Sequence, residues 1–388
     1  MKRGILYLIY ICAMLTACHR HHSEEAAPLW KAETGERTVI VYMMAENSMD
    51  EYTSLDIEEM VATKSEIPDS VHYVIYKDDT DLPIIQYITD STGLQDYYVF
   101  PQDHYSTDSV QMLQNLRFII DAFPARHYTL VFWSHASGWI PRHKTLGIDN
   151  GQNNRFDTGH RMNISELRWT LQQLPHTDML FFDACFMQNI EVAYELRHVT
   201  DWIVGSPAEI PGPGAPYNKI MKGLCDGDAQ AVTLAYSAEY PNTRRDVYKG
   251  VVLSAIRCSE LDNLAQACKE FIQQSFVDRA EVPTHGVQSY CDYYNSETYH
   301  FDIGSFFYHL LEENDYLRWK EAYTAAVPCR PATTRWFARR KSFAVIEDTV
   351  HNGAVSMFLP DAVDKPGWNT LFHETEWYHA SGWDETGW

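Results

Sequence analysis

Short apolar runs alternate with stretches of helical spacing over the first half of the chain. Each run is mostly apolar and too short for a typical helix, so it predicts a strand buried on both faces. Five such runs are present, at residues 38–44, 71–76, 128–133, 179–182 and 202–205. The intervening stretches carry helix start signals, Thr107 or Asp108 before one and the pair Asn163 and Glu166 before another. Alternating strands and helices indicate a mostly parallel sheet with helices on both faces.

The pattern changes on either side of this region. Residues 84–89 and 97–100 predict a hairpin. Residues 140–160 are polar and broken by two glycines, which predicts a long exposed loop. The pattern of the second half predicts helices at residues 217–224, 228–240 and 260–276. It predicts strands at residues 248–256 and 354–359. We therefore expect an α/β core over residues 36–245 and an α/β extension over residues 246–388 packed on it.

Two predicted strands end in side chains with reactive chemistry. Cys185 follows the apolar run 179–182, and His135 follows the run 128–133. If the strands are parallel neighbours, both side chains lie at the carboxyl edge of the sheet, where open α/β proteins place their sites. A thiol and an imidazole there form a nucleophile and base pair. The alternatives are a cysteine that acts as a small core hydrophobe and a histidine that is only packed.

The pentapeptide His-Ala-Ser-Gly-Trp occurs twice, at 135–139 and 379–383. No buried strand precedes His379, so we assign the chemistry to His135 and expect His379 at the surface.

Composition narrows the class of protein. The 388 residues carry a net charge of −22, which argues against a nucleic-acid partner and suits a soluble extracytoplasmic protein. Eight cysteines are present, without the paired spacing of a zinc site and without implying a full disulfide framework.

The N-terminus carries a targeting signal. Lys2 and Arg3 precede an apolar run, residues 5–15, that is too short to span a bilayer. The run ends in Leu-Thr-Ala-Cys18, which resembles the lipobox of bacterial lipoproteins. The resemblance implies a signal peptide over residues 1–17, lipid on Cys18 and a polar tether over residues 18–35. We expect a protein anchored in the bacterial cell envelope, at the outer membrane or cell surface and outside the cytoplasm. An ordinary signal peptide is the alternative.

Several motifs together resemble the clostripain family of cysteine peptidases. They lie at residues 42–47, 133–139, 182–196, 206–217, 301–304 and 353–360. The resemblance spans about residues 36–375 and implies a caspase-like α/β sandwich with a Cys/His dyad. It also implies protein or peptide substrates cut after Arg or Lys, and often self-processing and calcium dependence.

The resemblance assigns roles to particular residues. Cys185 would be the nucleophile and His135 the general base and acid. The backbone N–H groups of Cys185 and Ala136 would stabilise the oxyanion. Members of the family often have glycine where this chain has Ala136. Asp183 would line the pocket for the basic side chain, with Glu209 as a second candidate; alternatively, Asp183 holds the turn through backbone N–H groups.

Three further expectations concern regulation. Lys144 and Arg155 are the predicted self-processing sites, ahead of Arg142. Residues 46–47 and 77–79 offer oxygen ligands for Ca²⁺, although such polar residues also simply end strands. We expect a monomer. The alternative function is a surface-anchored binding lipoprotein that kept the scaffold and lost the chemistry.

Overall fold

A computed structural model describes residues 28–140, 146–240, 249–290, 299–338, 342–361 and 367–388. Its strands are β1 (Gly35–Met44), β2 (Val71–Asp78), β3 (Ile84–Thr89), β4 (Gly93–Val99), β5 (Ala125–Trp133), β6 (Leu146–Asp149), β7 (His160–Met162), β8 (Thr177–Asp183), β9 (Thr200–Gly205), β10 (Ser254–Arg257), β11 (Phe301–Asp302), β12 (Arg335–Ala338), β13 (Ser342–Val345) and β14 (Ser356–Met357). Its helices are α1 (Asp50–Ala62), α2 (Ser109–Ala122), α3 (Ile164–Leu171), α4 (Ile190–Leu196), α5 (Tyr217–Asp226), α6 (Ala229–Glu239), α7 (Leu261–Ser275), α8 (Ile303–Leu310), α9 (Glu313–Ala326), α10 (Trp368–Phe372) and α11 (Glu376–Ala380).

The central sheet has eight strands in the order β10-β9-β8-β5-β1-β2-β3-β4. The five strands from β9 to β2 run parallel, while β10, β3 and β4 are antiparallel additions at the edges. The predicted parallel sheet and the predicted β3–β4 hairpin are therefore confirmed. Because β10 comes from the second half of the chain, the expected C-terminal extension also completes the sheet.

Side chains of β1 alternate between two hydrophobic cores. Val39, Val41 and Met43 face a core that α1, α5 and α6 cover. Ile40, Tyr42 and Met44 face a larger core that includes side chains of α2, α3 and α4 and of the C-terminal helices. A parallel strand must bury both faces, which is why its sequence is apolar at successive positions.

The predicted helix starts are confirmed by their contacts. The Asp108 side chain accepts hydrogen bonds from the N–H groups of Val110 and Gln111, at 3.0 and 2.9 Å. Glu166 accepts from the N–H of Asn163 at 2.8 Å. These three bonds satisfy backbone donors at the starts of the two helices.

Three predicted segments differ from the structure. Residues 146–150 are buried, and β6 pairs with β7, so only part of the loop after His135 is exposed. The strand predicted at 248–256 is shortened to β10, and the strand predicted at 354–359 is shortened to β14. Val251, Val252 and Leu253 are buried without strand pairing, and apolarity alone does not separate such a segment from a strand.

Asp302 joins distant parts of the C-terminal region. Its buried carboxylate accepts hydrogen bonds from the N–H groups of Ser305, Gly353 and Ala354 and from the hydroxyl of Tyr290. Burial raises the pKa of Asp302 to about 6, against the opposing effect of these donors. The carboxylate thereby fixes β11 to the chain that leads into β14.

No helix within the described ranges has the length and apolarity needed to cross a membrane. The predicted signal peptide, Cys18 and most of the predicted tether lie outside the described residues, as does the expected boundary at residue 245.

Candidate active site

The sheet brings Cys185 and His135 to adjacent strand ends. β5 and β8 are parallel neighbours, and Trp133 pairs directly with Asp183. His135 and Cys185 each follow two residues after that pair, so both leave the same edge at the same level. Parallel neighbours lie about 4.8 Å apart, which is compatible with contact between the two side chains.

The turns that follow the two residues also touch. Gly138 has φ +87°, and a side chain there would place its Cβ 2.5 Å from Asn189 Oδ1 and 3.2 Å from the carbonyl oxygen of Phe186. Such contacts exclude any larger residue, so glycine lets the His135 turn pack directly against the Cys185 turn.

The backbone after Cys185 is held in an uncommon conformation. Phe186 has φ +58°, in the left-handed region that residues with side chains rarely adopt. Its N–H donates to the carbonyl of Ala208 at 3.0 Å, and its ring stacks on His300 with centroids 4.7 Å apart. These contacts fix the turn that presents the thiol.

The loop after β9 contacts the thiol directly. The N–H of Ile210 donates to Cys185 Sγ at 3.4 Å, and an N–H donor at sulfur stabilises the charge of a thiolate. Cys185 is half-buried, whereas the other described cysteines, Cys225, Cys258, Cys268 and Cys329, are buried. Among the cysteines that the structure describes, Cys185 is thus the most accessible to a substrate.

His135 is bound from the side of β1. Its Nε2 lies 3.0 Å from Ser48 Oγ and 3.6 Å from Asp157 Oδ1. Ser48 follows β1, the neighbour of β5 on the side away from β8. The imidazole therefore lies between the Cys185 strand and the Ser48 strand, with Nε2 on the Ser48 side.

Ala136, the residue after His135, has an ordinary backbone conformation. Its φ is not positive, so alanine in place of the family's glycine introduces no strain there. Its N–H donates to no atom in the described part of the chain. A donor at the turn after His135 is thus present.

Asp183 is buried and precedes Cys185 by two residues at the end of β8. Its Oδ2 accepts hydrogen bonds from the N–H of Ala215 and the hydroxyl of Tyr217, both at 3.1 Å. Its Oδ1 receives none from the described residues. Burial raises the pKa of Asp183 to about 6. The carboxylate therefore holds the loop, as in the alternative role, while Oδ1 has no hydrogen-bond donor among the described residues.

A second carboxyl group lies near Asp183. Asp56 accepts a hydrogen bond from Trp133 Nε1 at 2.7 Å, and burial together with the charge of Asp183 raises its pKa to about 9. At neutral pH Asp56 is protonated and Asp183 carries the negative charge.

Glu209 lies on the loop that contacts Cys185. It is buried and immediately precedes Ile210, the residue that donates to the thiol. In the same loop Gly214 has φ +63°, and a Cβ there would approach Asp183 Oδ2 to 2.9 Å. The structure thus places Asp183 in contact with the loop that carries Glu209, at Ala215, Tyr217 and Gly214.

A group of carboxylates lies at the ends of β1 and β2. One oxygen each from Glu46, Asp78 and Asp103 lies within 4.8 Å of the others. Glu46 Oε2 and both oxygens of Asp78 are buried and accept no hydrogen bond from the described residues. Burial raises the pKa of Glu46 to about 7 and that of Asp78 well above its ordinary value.

Two residues of the predicted oxygen-ligand set have other partners. Asn47 donates to the carbonyls of Met44 and Ile148, and Lys77 forms an ion pair with Asp79. The sequence had identified Glu46 and Asp78 but not Asp103, which reaches the group from the segment before α2.

The remaining predicted residues lie as follows. His379 is exposed on α11 and lies 3.1 Å from Asp384, so its assignment to the surface is confirmed. Arg155 forms an ion pair with Asp50 at 2.6 Å. Lys144 and Arg142 lie outside the described residues.

Sequence reasoning missed Ser48 and Asp157. Ser48 follows the first buried strand and could be identified as a polar strand exit, whereas Asp157 lies in the polar segment between β6 and β7. Nothing in the spacing of Ser48 and Asp157 indicated that they would contact each other and His135.

Comparisons with known proteins agree with this geometry. A sequence model of the clostripain family, Peptidase_C11, matches residues 41–388. A secreted C11 cysteine protease from Bacteroides thetaiotaomicron, solved with an irreversible peptide inhibitor, is 27% identical. The similarity covers 90% of this chain and 99% of that chain, with a TM-score of 0.77. A search of curated proteins finds no match.

Two other solved structures are similar. An inactive zymogen C11 protease from Parabacteroides distasonis shares the fold at 23% identity and a TM-score of 0.76, covering 90% of this chain and 99% of that chain. A cysteine protease from B. fragilis is 30% identical over 59% of this chain and 96% of that chain, with a TM-score of 0.54. The predicted caspase-like α/β fold is confirmed. The chain belongs to the clostripain family, and it is a cysteine peptidase.

Proposed function

We propose that this peptidase cleaves proteins or peptides after Arg or Lys, with Cys185 as nucleophile and His135 as general base and acid. The observation that carries the proposal is the pairing of Trp133 with Asp183 on adjacent parallel strands. Because His135 and Cys185 each follow two residues after this pair, they leave the sheet at the same level. The contact between their turns at Gly138 supports the same assignment.

The reaction follows from this arrangement. His135 takes the proton of the Cys185 thiol, and the thiolate attacks the carbonyl carbon of the scissile bond. The N–H groups of Cys185 and Ala136 stabilise the oxyanion that forms. His135 then donates its proton to the leaving amine, and the C–N bond breaks. Water, deprotonated by His135, attacks the thioester, which releases the acid and restores the thiol.

Asp183 supplies the preference for a basic side chain. Its Oδ1 accepts no hydrogen bond from the described residues, and the carboxylate is buried, so little water would compete with a basic side chain that reached it. A guanidinium can pair with it more completely than an ammonium can, so Arg is preferred over Lys. Glu209 adds a second acidic group on the loop beside Cys185.

An activity-based probe tests the proposal. A peptidyl acyloxymethyl ketone with Arg as its reactive residue should label wild-type protein once, at Cys185, and should leave Cys185→Ala unlabelled. The matched control is the same probe with Gln at that position, which should label at least tenfold more slowly. Absence of labelling with either probe would favour the silent binding scaffold.

Self-processing is a second part of the proposal. Incubated pure and without residues 1–17, the wild-type protein should split into fragments of about 14 and 27 kDa after Lys144, or about 15 and 26 kDa after Arg155, whereas Cys185→Ala should stay whole. Lys144→Gln and Arg155→Gln, singly and combined, distinguish the two sites by the mass of the fragments. A fully active chain that stays intact would contradict this part.

The carboxylates Glu46, Asp78 and Asp103 fit a divalent cation, and calcium is the ion proposed. Unpartnered carboxylate oxygens at this spacing match the oxygen ligands that Ca²⁺ prefers. Bound Ca²⁺ would neutralise the group. At 100 times its dissociation constant it should stabilise the fold by about 2.7 kcal/mol. Thermal unfolding with Ca²⁺ and with Mg²⁺ tests this, and Asp78→Asn should remove the effect.

We also propose that the mature protein is held in the cell envelope by lipid on Cys18. The lipobox-like sequence supports this, and the similar B. thetaiotaomicron protease is described as secreted. A single lipidated cysteine with its acyl chains would then anchor the catalytic region.

A further inference from the structure

We infer that Ser48 and Asp157 position the His135 imidazole, so that Nδ1 exchanges the proton with Cys185. The inference rests on the proposed function of the Cys185 and His135 pair. It assigns Ser48 and Asp157 as positioning residues, which act on the reaction through His135.

Counting protons on the three groups fixes the tautomer. Ser48 Oγ donates its only proton to Asp157 Oδ2 at 2.9 Å, so toward His135 the same oxygen is an acceptor. Nε2 of the neutral imidazole must then carry the hydrogen. Its other nitrogen, Nδ1, is the basic one. A base with a lone pair on Nδ1 can take the thiol proton.

The order of the strands gives the same orientation. β5 lies between β8, which carries Cys185, and β1, which leads to Ser48. Because Nε2 contacts Ser48 on the β1 side, the opposite edge of the ring is turned toward β8. The hydrogen-bond donors and the strand order, taken with the contact of Nε2 to Ser48, thus both assign Nδ1 to the thiol.

Ser48 and Asp157 are themselves fixed. The N–H of Ser48 donates to Asp157 Oδ1 at 2.9 Å, so Ser48 contacts both carboxylate oxygens. The segment before Asp157 is tied to the same strand exit, since Glu46 accepts from the N–H of Gln152 at 2.8 Å and Arg155 pairs with Asp50 at 2.6 Å. The imidazole therefore contacts a preformed support.

The support also bears on the charged intermediate. When His135 takes the thiol proton it becomes an imidazolium, and Asp157 Oδ1 lies 3.6 Å from Nε2. A carboxylate at that distance favours the charged ring over the neutral one. Loss of Ser48 or Asp157 should therefore slow proton transfer and leave substrate binding unchanged.

Steady-state kinetics on Asp157→Asn, Ser48→Ala and the double variant test the inference, with the processed fraction measured by gel and used to normalise rates. Each single variant should lose roughly 10- to 100-fold in kcat with KM unchanged. The double variant should lose little more than the worse single one, because both changes break one chain of contacts. Asp157→Glu should restore part of the rate.

The matched control is Asp384→Asn, which breaks the exposed contact of Asp384 with His379 and should leave kcat unchanged. Wild-type kcat in both single variants, or a loss expressed only in KM, would overturn the inference while Cys185→Ala remains inactive. An active Cys185→Ala would instead overturn the proposed function. Thermal unfolding of each variant shows whether a loss of activity comes from misfolding. If Asp157→Asn or Ser48→Ala misfolds, Asp157→Glu decides: wild-type stability without any recovery of kcat would count against the inference.

Discussion

Replacing Asp183 by Asn should convert a peptidase selective for basic residues into a weak and unselective one. The carboxylate is 3% exposed, and its Oδ1 accepts no hydrogen bond from the described residues. A guanidinium that reaches it forms a charge-assisted pair shielded from water. Such pairs contribute about 1.5–3 kcal/mol, and the burial here favours the upper end. Since 1.4 kcal/mol corresponds to a factor of ten, kcat/KM on Arg substrates should fall roughly a hundredfold or more.

The fold should tolerate this change. Asn retains an oxygen that can accept from the N–H of Ala215 and the hydroxyl of Tyr217. It also removes a charge whose burial opposes folding. Because the pKa of Asp183 is raised to about 6, the folded state binds the proton more tightly than the unfolded state does. The contribution of this group to stability therefore decreases as pH rises from about 4 to 6, and Asp183→Asn should not lower the melting temperature at pH 7.

The pH dependence gives a second readout of the same group. Below pH 6 Asp183 is protonated and cannot pair with a guanidinium, so kcat/KM on Arg substrates should rise with pH through about 6. Matched substrates with Gln in place of Arg should lack this rise, and so should Asp183→Asn on either substrate. The assay compares fluorogenic peptides that differ only at that residue. An equal loss on both peptides would refute the reasoning and leave Asp183 as a residue that only holds the loop.

The other predictions test the nucleophile, the extension and the anchor. Cys185→Ala and His135→Ala should each abolish peptide hydrolysis with the melting temperature unchanged, whereas His379→Ala should retain wild-type activity. If both histidine variants are equally inactive, the assignment of the general base to His135 alone is wrong. Asp302→Ala leaves several buried donors without an acceptor and should lower the free energy of unfolding by about 3 kcal/mol or more, measured by urea denaturation. Cys18→Ser should move the protein from the membrane to the soluble fraction, and unchanged fractionation would exclude the lipid anchor.

The sequence predicted the parallel strands and the positions of His135 and Cys185 at their ends, because both features depend on the local order of apolar and polar residues. An apolar run that ends at a polar residue marks a strand exit, and neighbouring exits in a parallel sheet meet at one edge. His135 and Cys185 were identified in this way. Ser48, Asp157 and Asp103 were not, because their contacts depend on the paths of irregular segments far apart in the chain. Asp149 illustrates the difficulty: it looked like part of an exposed loop, yet it is buried in β6 and binds Ser106.

Arg155 lies only two residues before Asp157 in the chain. The site of self-cleavage should therefore affect the rate of peptide hydrolysis. Cleavage after Lys144 would leave the segment from β6 to Asp157 as it is. Cleavage after Arg155 would create an amino terminus at Phe156, directly beside Asp157, and the new ammonium would compete for the carboxylate that supports His135. One cut would yield a mature enzyme and the other a slowed one, so prolonged self-digestion would limit its own activity.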